Sequence, residues 1–465
     1  VMYRFRTVSN LIGEFQELQK QQIYFAHPEQ LNDPMEGMRR YFWRGDEIVW
    51  RNLLKHYLLC LEHVVTLARL TEENEQITKD DIPIYKSLEN LPTDLYRERI
   101  QEVYEVFFSN RFVQSYLSFI IKNPYKIYSE ELYVHLKFLF RYALNAVFEV
   151  DAKHGFIPTS GDINELKSDN EQADAFFTIW EKISELPDGQ EMYEHLMKAV
   201  HEVMKEMDFQ HVIKLNSSIK MQNICVEFPQ MYIEAIKALT YPEAYIACFM
   251  DNCTNSSIWG TYGDNHRGVC LKYKIKDQEK PTLKLKTITG FSSSGNTYGT
   301  VEFPLKKMIY SNEFDELDFF RNIGRLPVGH LERQWYTNEK GERSICSEHL
   351  FSYEEEWRVR HWESFETAYL NKLPAWSHER EYRIILSSVL EMFSESKDRL
   401  LEYNFEVLEA IIFGINTPKE DRIKIIDIVN EKCKKEGRKQ FDFYEMAYSN
   451  KKQEMDTRKI LSLKL

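Results

Sequence analysis

The sequence predicts an α+β protein, a mixed and mainly antiparallel β-rich core module interrupted by a large all-helical insertion. Alternating apolar and polar runs of strand type occur near both ends of the chain, at residues 2–6 and 23–26 and again from residue 244 onward. Between them, a long stretch carries apolar residues at the three- and four-residue spacing of helices. The length of 465 residues exceeds that of one ordinary domain. The expected division is a discontinuous core module, 1–40 and 241–465, with a helical insertion domain over 41–240.

In chain order, residues 2–6 form a strand with Arg4 and Arg6 on one face and Tyr3 and Phe5 on the other. Ser9 or Asn10 caps a short helix through Lys20, and residues 23–26 form a second strand. Two prolines and an Asn-Asp pair then break regular structure between His27 and Pro34. Helices are expected over 51–70, 94–121, 130–150, 173–186 and 190–207. Strands return at 244–250 and 269–273, with 290–299 expected as a flexible loop, 305–310 as a strand and 313–325 and 357–370 as helices. The run from Trp376 to Leu386 opens charged and closes apolar and β-branched, so it is expected as a strand entering a core. A buried strand at 410–414, a helix from Thr417-Pro418 to 435 and closing strands follow.

Composition narrows the function classes. The net charge of −13 argues against nucleic-acid binding over the whole surface but leaves room for a local basic groove. Seven scattered cysteines, without a CxxC or a zinc-type Cys/His spacing, predict a reduced cytoplasmic chain and no metal site. The chain opens without a charged-then-apolar leader and contains no charge-free apolar run of about 20 residues, so neither secretion nor membrane insertion is expected. Phosphate-loop, dinucleotide-fold, zinc-protease and serine-hydrolase motifs are missing.

The candidate site starts from Glu379, Glu381 and Arg383, which a period of two places on one strand face. Two neighbouring carboxylates repel, so the row requires either a structural ion-pair network or a site. As a site, a glutamate beside an aromatic cleft bonds a sugar hydroxyl and stabilises a cationic sugar transition state. Arg6 is either a salt-bridge partner or a fork for phosphate or carboxylate. Asn32 and Asp33 are a turn or part of a ligand loop. Trp259, Tyr262, His266 and Arg267 offer stacking and hydrogen bonding around a glycine-flanked loop, the alternative being core and turn residues.

Four ordered blocks carry a resemblance. Tyr3 to Arg6 with Ile23 to Glu36, Cys248-Phe249 with Trp259 to Leu271, Trp376 to Arg383, and Ile411 to Gly414 together resemble the bacterial domain-of-unknown-function family twenty-nine seventy-one. The likeness covers residues 1–40 and about 241–450. Met250 stands where that family commonly has serine, and Ile258 where it has methionine. A weaker resemblance is to mono-ADP-ribosyltransferases. It implies NAD as substrate, Arg6 at its phosphate or ribose, and Trp259 and Tyr262 at nicotinamide. It also implies Glu381 against the oxocarbenium ion and Glu379 orienting the acceptor.

The expected function is therefore an NAD-using ADP-ribosyltransferase or NAD glycohydrolase, a toxin or anti-phage effector acting on a nucleic acid or protein. Asn32, Asp33 and His266 complete its binding residues. The alternatives are a nuclease-like effector holding a divalent ion with Glu379, Glu381, Asp33 and His266, and a non-enzymatic sensor or partner-binding protein.

Overall fold

A computed structural model describes residues 1–72, 75–157, 182, 189–214, 223–277, 279–293, 295–451 and 453–464. In chain order its strands are β1 (Met2–Arg6), β2 (Gln22–Tyr24), β3 (Arg40–Trp43), β4 (Ile127–Tyr128), β5 (Ala244–Met250), β6 (Val269–Tyr273), β7 (Thr282–Ser292) and β8 (Gly295–Pro304). There follow β9 (Lys306–Lys307), β10 (Ile309–Tyr310), β11 (Glu316–Asp318), β12 (Asn371–Lys372), β13 (Glu381–Ser387), β14 (Leu400–Tyr403), β15 (Leu408–Phe413), β16 (Gln440–Ser449) and β17 (Glu454–Lys464). The α+β class is as the sequence predicts. Two compact units share the chain: Val1–Met38, Pro242–Asp315 and Glu363–Leu465 form one, and Arg39–Tyr241 with Glu316–Trp362 form the other. The stretch Glu316–Trp362, expected in the strand-bearing part, thus lies in the helix-rich unit.

The first unit is built on an eight-stranded sheet in the order β17-β16-β15-β6-β1-β5-β13-β9. Its strand pairs are antiparallel except β15 with β16. A parallel pair needs a crossover, and the Lys419–Glu436 helix supplies it. That helix follows Pro418 and stops at Gly437, whose φ of +68° is the left-handed conformation that closes helices. It buries Ile425, Val429 and Cys433 against one sheet face, where Met2, Phe249, Leu271, Ile384 and Phe413 project. The four-stranded sheet β2-β14-β7-β8 adds Ile23, Leu285 and Leu401 to the same core. On the opposite face, Phe5, Met250, Cys270 and Ile412 pack with Ile258 and Trp259 of the Ser256–Thr261 helix.

The sheet has one local departure that matters for function. β1 keeps five registered pairs with β6 but only Tyr3↔Met250 with β5. Toward the other end of β5, Ile246 exchanges both backbone hydrogen bonds with Ala26 instead, at 2.8 and 2.9 Å. Between these two points the Cys248 carbonyl accepts from the Arg4 guanidinium, at 3.2 Å. A side chain stands where a neighbouring strand's N–H would stand, and the ladder opens there.

In the second unit, Asp46, Thr93 and Asn110 cap the Glu47–Leu70, Asp94–Ser109 and Arg111–Lys122 helices through side-chain oxygens. The Ser129–Lys153, Gly189–Lys214 and Phe228–Ile236 helices belong to the same unit, and β11-β3-β4 form a small sheet. Trp43 stacks on Phe319 at 5.4 Å between ring centres.

Several local expectations are corrected. Residues 290–292 and 295–299 belong to the paired strands β7 and β8 rather than a loop, because Leu283, Leu285 and Ile288 anchor β7 in the core. The helix expected over 313–325 is replaced by β11, paired in parallel to β3. The strand expected over 305–310 is split into β9 and β10, which join different sheets. Val8–Ile12 and Glu17–Lys20 are separate helices, with Thr7 rather than Ser9 or Asn10 capping the first. The helix expected over 173–186 lies outside the described residues, apart from residue 182.

Candidate functional site

The focal run is not one strand. Pro374–Glu379 is a 3₁₀ turn, Arg380 takes a left-handed φ of +51°, and β13 begins at Glu381. Proline starts the turn and the left-handed residue ends it, so Glu379 and Glu381 reach one point from two different elements. Both are 2% exposed. The ammonium of Lys372, delivered by β12, lies 2.8 Å from Glu379 Oε2 and 3.2 Å from Glu381 Oε2.

Arg383 completes the group from the next inward position of β13. Its Nε donates to Glu381 Oε1 at 2.7 Å, and its Nη1 and Nη2 donate to Glu36 at 2.5 and 2.7 Å. A fourth bond, Nη1 to the Tyr369 carbonyl at 2.8 Å, uses a remaining N–H. Glu36 also lies 3.3 Å from Lys372. The Tyr262 hydroxyl donates to Glu379 Oε1 at 2.7 Å, and the Tyr310 hydroxyl accepts the Glu381 N–H at 3.0 Å.

Three carboxylates against two cations leave one negative charge in excess if all ionise. Burial lifts the Glu379 carboxyl above the usual carboxylate range, even though Lys372 and Tyr262 pull the other way. Burial also acts upward on Glu381, but the Arg383 charge and hydrogen bonds, with Lys372 behind them, outweigh it and hold that carboxyl at about 2. The upward push on Glu379 acts in the direction that lessens this excess, while Glu381 stays anionic. The Cys248 thiol, opposite Arg383 in register, hydrogen-bonds Glu381 and is pushed well up by burial.

Next to this cluster, at the opening between β1 and β5, is a cavity of 210 Å³. Arg4, Arg6, Tyr24, Asn32, Tyr262 and Glu381 line it, with Glu36, Cys248, Lys372 and Arg383 also on its wall. Arg6 is forked onto Glu17, with Nε to Oε2 at 2.7 Å. Arg4 differs. Its guanidinium bonds the carbonyls of Tyr24, at 2.8 Å, and Cys248, while its Nε has no hydrogen-bond partner. Among the described residues no carboxylate forms an ion pair with Arg4, which is only 7% exposed.

Of the residues singled out in the sequence, Arg6, Asn32, Tyr262 and Glu381 line this one cavity, and Glu379 lies behind Tyr262. Four others, Trp259, Asp33, His266 and Arg267, do not line it. Trp259 is core, edge-on to Phe5 at 4.9 Å with its indole N–H on the Cys253 carbonyl. Asp33 is buried and shapes a turn, its Oδ1 accepting the Met35 N–H at 2.9 Å and its carbonyl the Glu36 N–H. His266 ends a run of three left-handed residues, Asp264 to His266, that packs against Gly414. Arg4, Glu36, Cys248 and Lys372 were missed. Arg4 alternates with Arg6 on β1 and is legible as its equal, Glu36 and Cys248 stand in the blocks that carry the family resemblance, and Lys372 alone of the four has no local signal.

Among the described residues no group of three or more His, Cys, Asp or Glu side chains is arranged to hold a metal ion. Glu379 and Glu381, two of the proposed ligands of a divalent ion, are already held by Lys372 and Arg383.

No curated protein and no solved structure matches the chain, so the expected likeness to mono-ADP-ribosyltransferases finds no counterpart there. A family model does match, over residues 258–384, a narrower span than the sequence resemblance covers. Along that span, which contains Tyr262, Lys372, Glu379, Glu381 and Arg383, the chain is similar to the family described as protein of unknown function (DUF2971).

Proposed function

We propose that the chain is an NAD-consuming enzyme, an ADP-ribosyltransferase or NAD glycohydrolase, whose bond-breaking site is the cavity between β1 and β5. The observation that carries this reading is the pair of unlike charges on that cavity: Arg4, which has no carboxylate partner among the described residues, and Glu381, held ionised. NAD matches the pattern chemically. Its diphosphate is anionic, and loss of nicotinamide leaves positive charge on the ribose.

A preorganised carboxylate stabilises that developing charge strongly where water is excluded, and Glu381 is nearly fully buried. In this reading the glycosidic C–N bond breaks with its electron pair going to nicotinamide. Water, or an oxygen or nitrogen of an acceptor, forms the new bond to the same carbon and loses its proton to solvent. Tyr24 and Tyr262 offer aromatic walls. Glu379 positions the Tyr262 hydroxyl and, through it, the acceptor. The 210 Å³ volume is below the roughly 300–1,000 Å³ of ordinary ligand pockets, which fits one end of a dinucleotide rather than all of it. A nucleic acid or protein acceptor, and a toxin or anti-phage role, go with this reading.

The test is nicotinamide release from NAD by the full chain with candidate acceptors, followed chromatographically. Release that disappears in Glu381→Gln supports the reading; intact NAD after prolonged incubation with every acceptor defeats it. A second reading, a purely structural ion-pair network, is favoured by the fact that each of Glu36, Glu379 and Glu381 is ion-paired to Lys372, and Glu36 and Glu381 also to Arg383. It predicts that Glu381→Gln lowers the melting temperature with no catalytic consequence.

A further inference from the structure

Among the described residues, two long strands have no neighbour on one side: β17, which ends the eight-stranded sheet, and β8, which ends the four-stranded one. A free edge presents a row of unpaired backbone N–H and C=O groups and invites another strand, so folded proteins guard edges with charges, prolines and bulges. β17 is guarded. It carries Arg458, Lys459 and Lys464, and its register against β16 shifts beside Ile460. β8 is not. From Gly295 to Val301 it reads Gly-Asn-Thr-Tyr-Gly-Thr-Val, a run without a charge, and only then come Glu302 and Pro304.

Pairing with β7 sorts the β8 side chains. Thr297, Gly299 and Val301 share one face with Leu283 and Leu285, whereas Asn296, Tyr298 and Thr300 share the other with Lys284 and Lys286. On that outer face Tyr298 lies opposite Ile288, and Asn296 opposite Phe291. The Tyr298 and Phe291 rings are 59% and 56% exposed, so apolar surface stands in water along the unguarded edge.

We infer that β8 pairs antiparallel with the β8 of a second copy of this chain, about a twofold axis through Tyr298. The occupant follows from self-complementarity. A twofold axis perpendicular to the sheet keeps each face on its own side, so only residues of like facing can oppose one another. Centred on Tyr298, the outer face sets that ring against its copy and Asn296 against Thr300, an aromatic pair flanked by two amide–hydroxyl pairs. The other face sets Thr297 against Gly299 and Gly295 against Val301, where each glycine leaves room for the larger partner. Glu302 lies far enough along the strand to keep the two copies' carboxylates roughly 27 Å apart. The same operation about the middle of β17 sets Lys459 against itself.

One pair of short strands is a small interface, so a weak and reversible dimer is expected. The experiment is sedimentation velocity on the full chain from micromolar to submillimolar concentration. Wild type should show a monomer–dimer equilibrium. Tyr298→Lys, which sets two ammonium groups face to face on the axis, should weaken it by about tenfold, and Tyr298→Phe should keep it. Lys464→Glu, on the β17 edge, must leave it unchanged, and far-ultraviolet circular dichroism checks that each variant is folded. Cross-linking reads the register. Under mild oxidation an equimolar mixture of Asn296→Cys and Thr300→Cys should give a disulfide-linked dimer above the wild-type background, and Asn296→Cys alone should not. A chain that stays monomeric throughout overturns the inference and leaves the edge to a strand of another protein. Association indifferent to Tyr298→Lys, association lost in Lys464→Glu, or a cross-link from Asn296→Cys alone overturns it as well.

Discussion

Glu36 and Arg383 meet through two contacts of 2.5 and 2.7 Å across 347 residues of sequence, each side chain about 2% exposed or less. The pair ties the turn after β2 to the inward face of β13, and so fixes two walls of the β1–β5 cavity. The two groups reach it by different routes. The Asp33 turn delivers Glu36, and the strand period delivers Arg383.

Removing one partner of such a pair leaves uncompensated charge in a dry interior. Arg383→Met is expected to destabilise the first unit by about 3–5 kcal/mol, because Glu36, Glu379 and Glu381 then share Lys372 alone. Urea unfolding followed by far-ultraviolet circular dichroism measures it. A loss below 1 kcal/mol means that the cluster is more hydrated than its burial indicates.

Glu381→Gln separates the two readings of the site. Under the catalytic reading, NAD cleavage falls by about a hundredfold or more, the size of effect seen when a preorganised charge is lost. Stability also responds to pH in a defined direction. Glu381 is held at about 2 in the folded chain, below its ordinary value of 4.5. The stability it contributes is therefore present above about pH 4.5 and disappears as pH falls toward 2. Melting curves of wild type and Glu381→Gln should accordingly converge on acidification, and a gap that widens at low pH contradicts the assignment.

The helix-rich unit carries its own acid sensitivity. Burial lowers His56 to about 4, His135 to about 3 and His361 to about 4. In the unfolded chain each takes a proton near its ordinary 6.5, so the unfolded state binds more protons between about pH 6.5 and 4 and stability drops as pH falls through that window. The slope is about 1.4 kcal/mol per pH unit for each fully protonated histidine. Replacing His135, which Tyr116 and Tyr193 hold at 2.9 and 3.1 Å, by glutamine should flatten the slope by up to one such increment. An unchanged slope contradicts the buried neutral state.

Gly414 directly follows β15, where the 266–268 backbone crosses close to it. An added Cβ would stand 2.2 Å from the His266 carbonyl oxygen, a contact with main chain that no side-chain rotation relieves. Gly414→Ala is expected to cost about 1–3 kcal/mol, with the melting temperature lowered accordingly. A neutral substitution implies that the left-handed Asp264–His266 turn yields instead.

The sequence by itself determined the α+β class, the strands around the focal region and the face shared by Glu381 and Arg383, because hydrophobic periodicity and strand alternation act over a few residues. It also pointed to Arg6, Asn32, Tyr262 and Glu381, which converge on one cavity. Only the tertiary structure decided that Arg4 rather than Arg6 keeps its guanidinium free of carboxylates, that Trp259 is core, and that Glu36 and Lys372 complete the charge cluster. The physical reason is that ionic partners and burial are set by contacts between distant segments. A residue's own neighbours state its type and face, but the charge opposite it belongs to whichever strand the fold brings alongside.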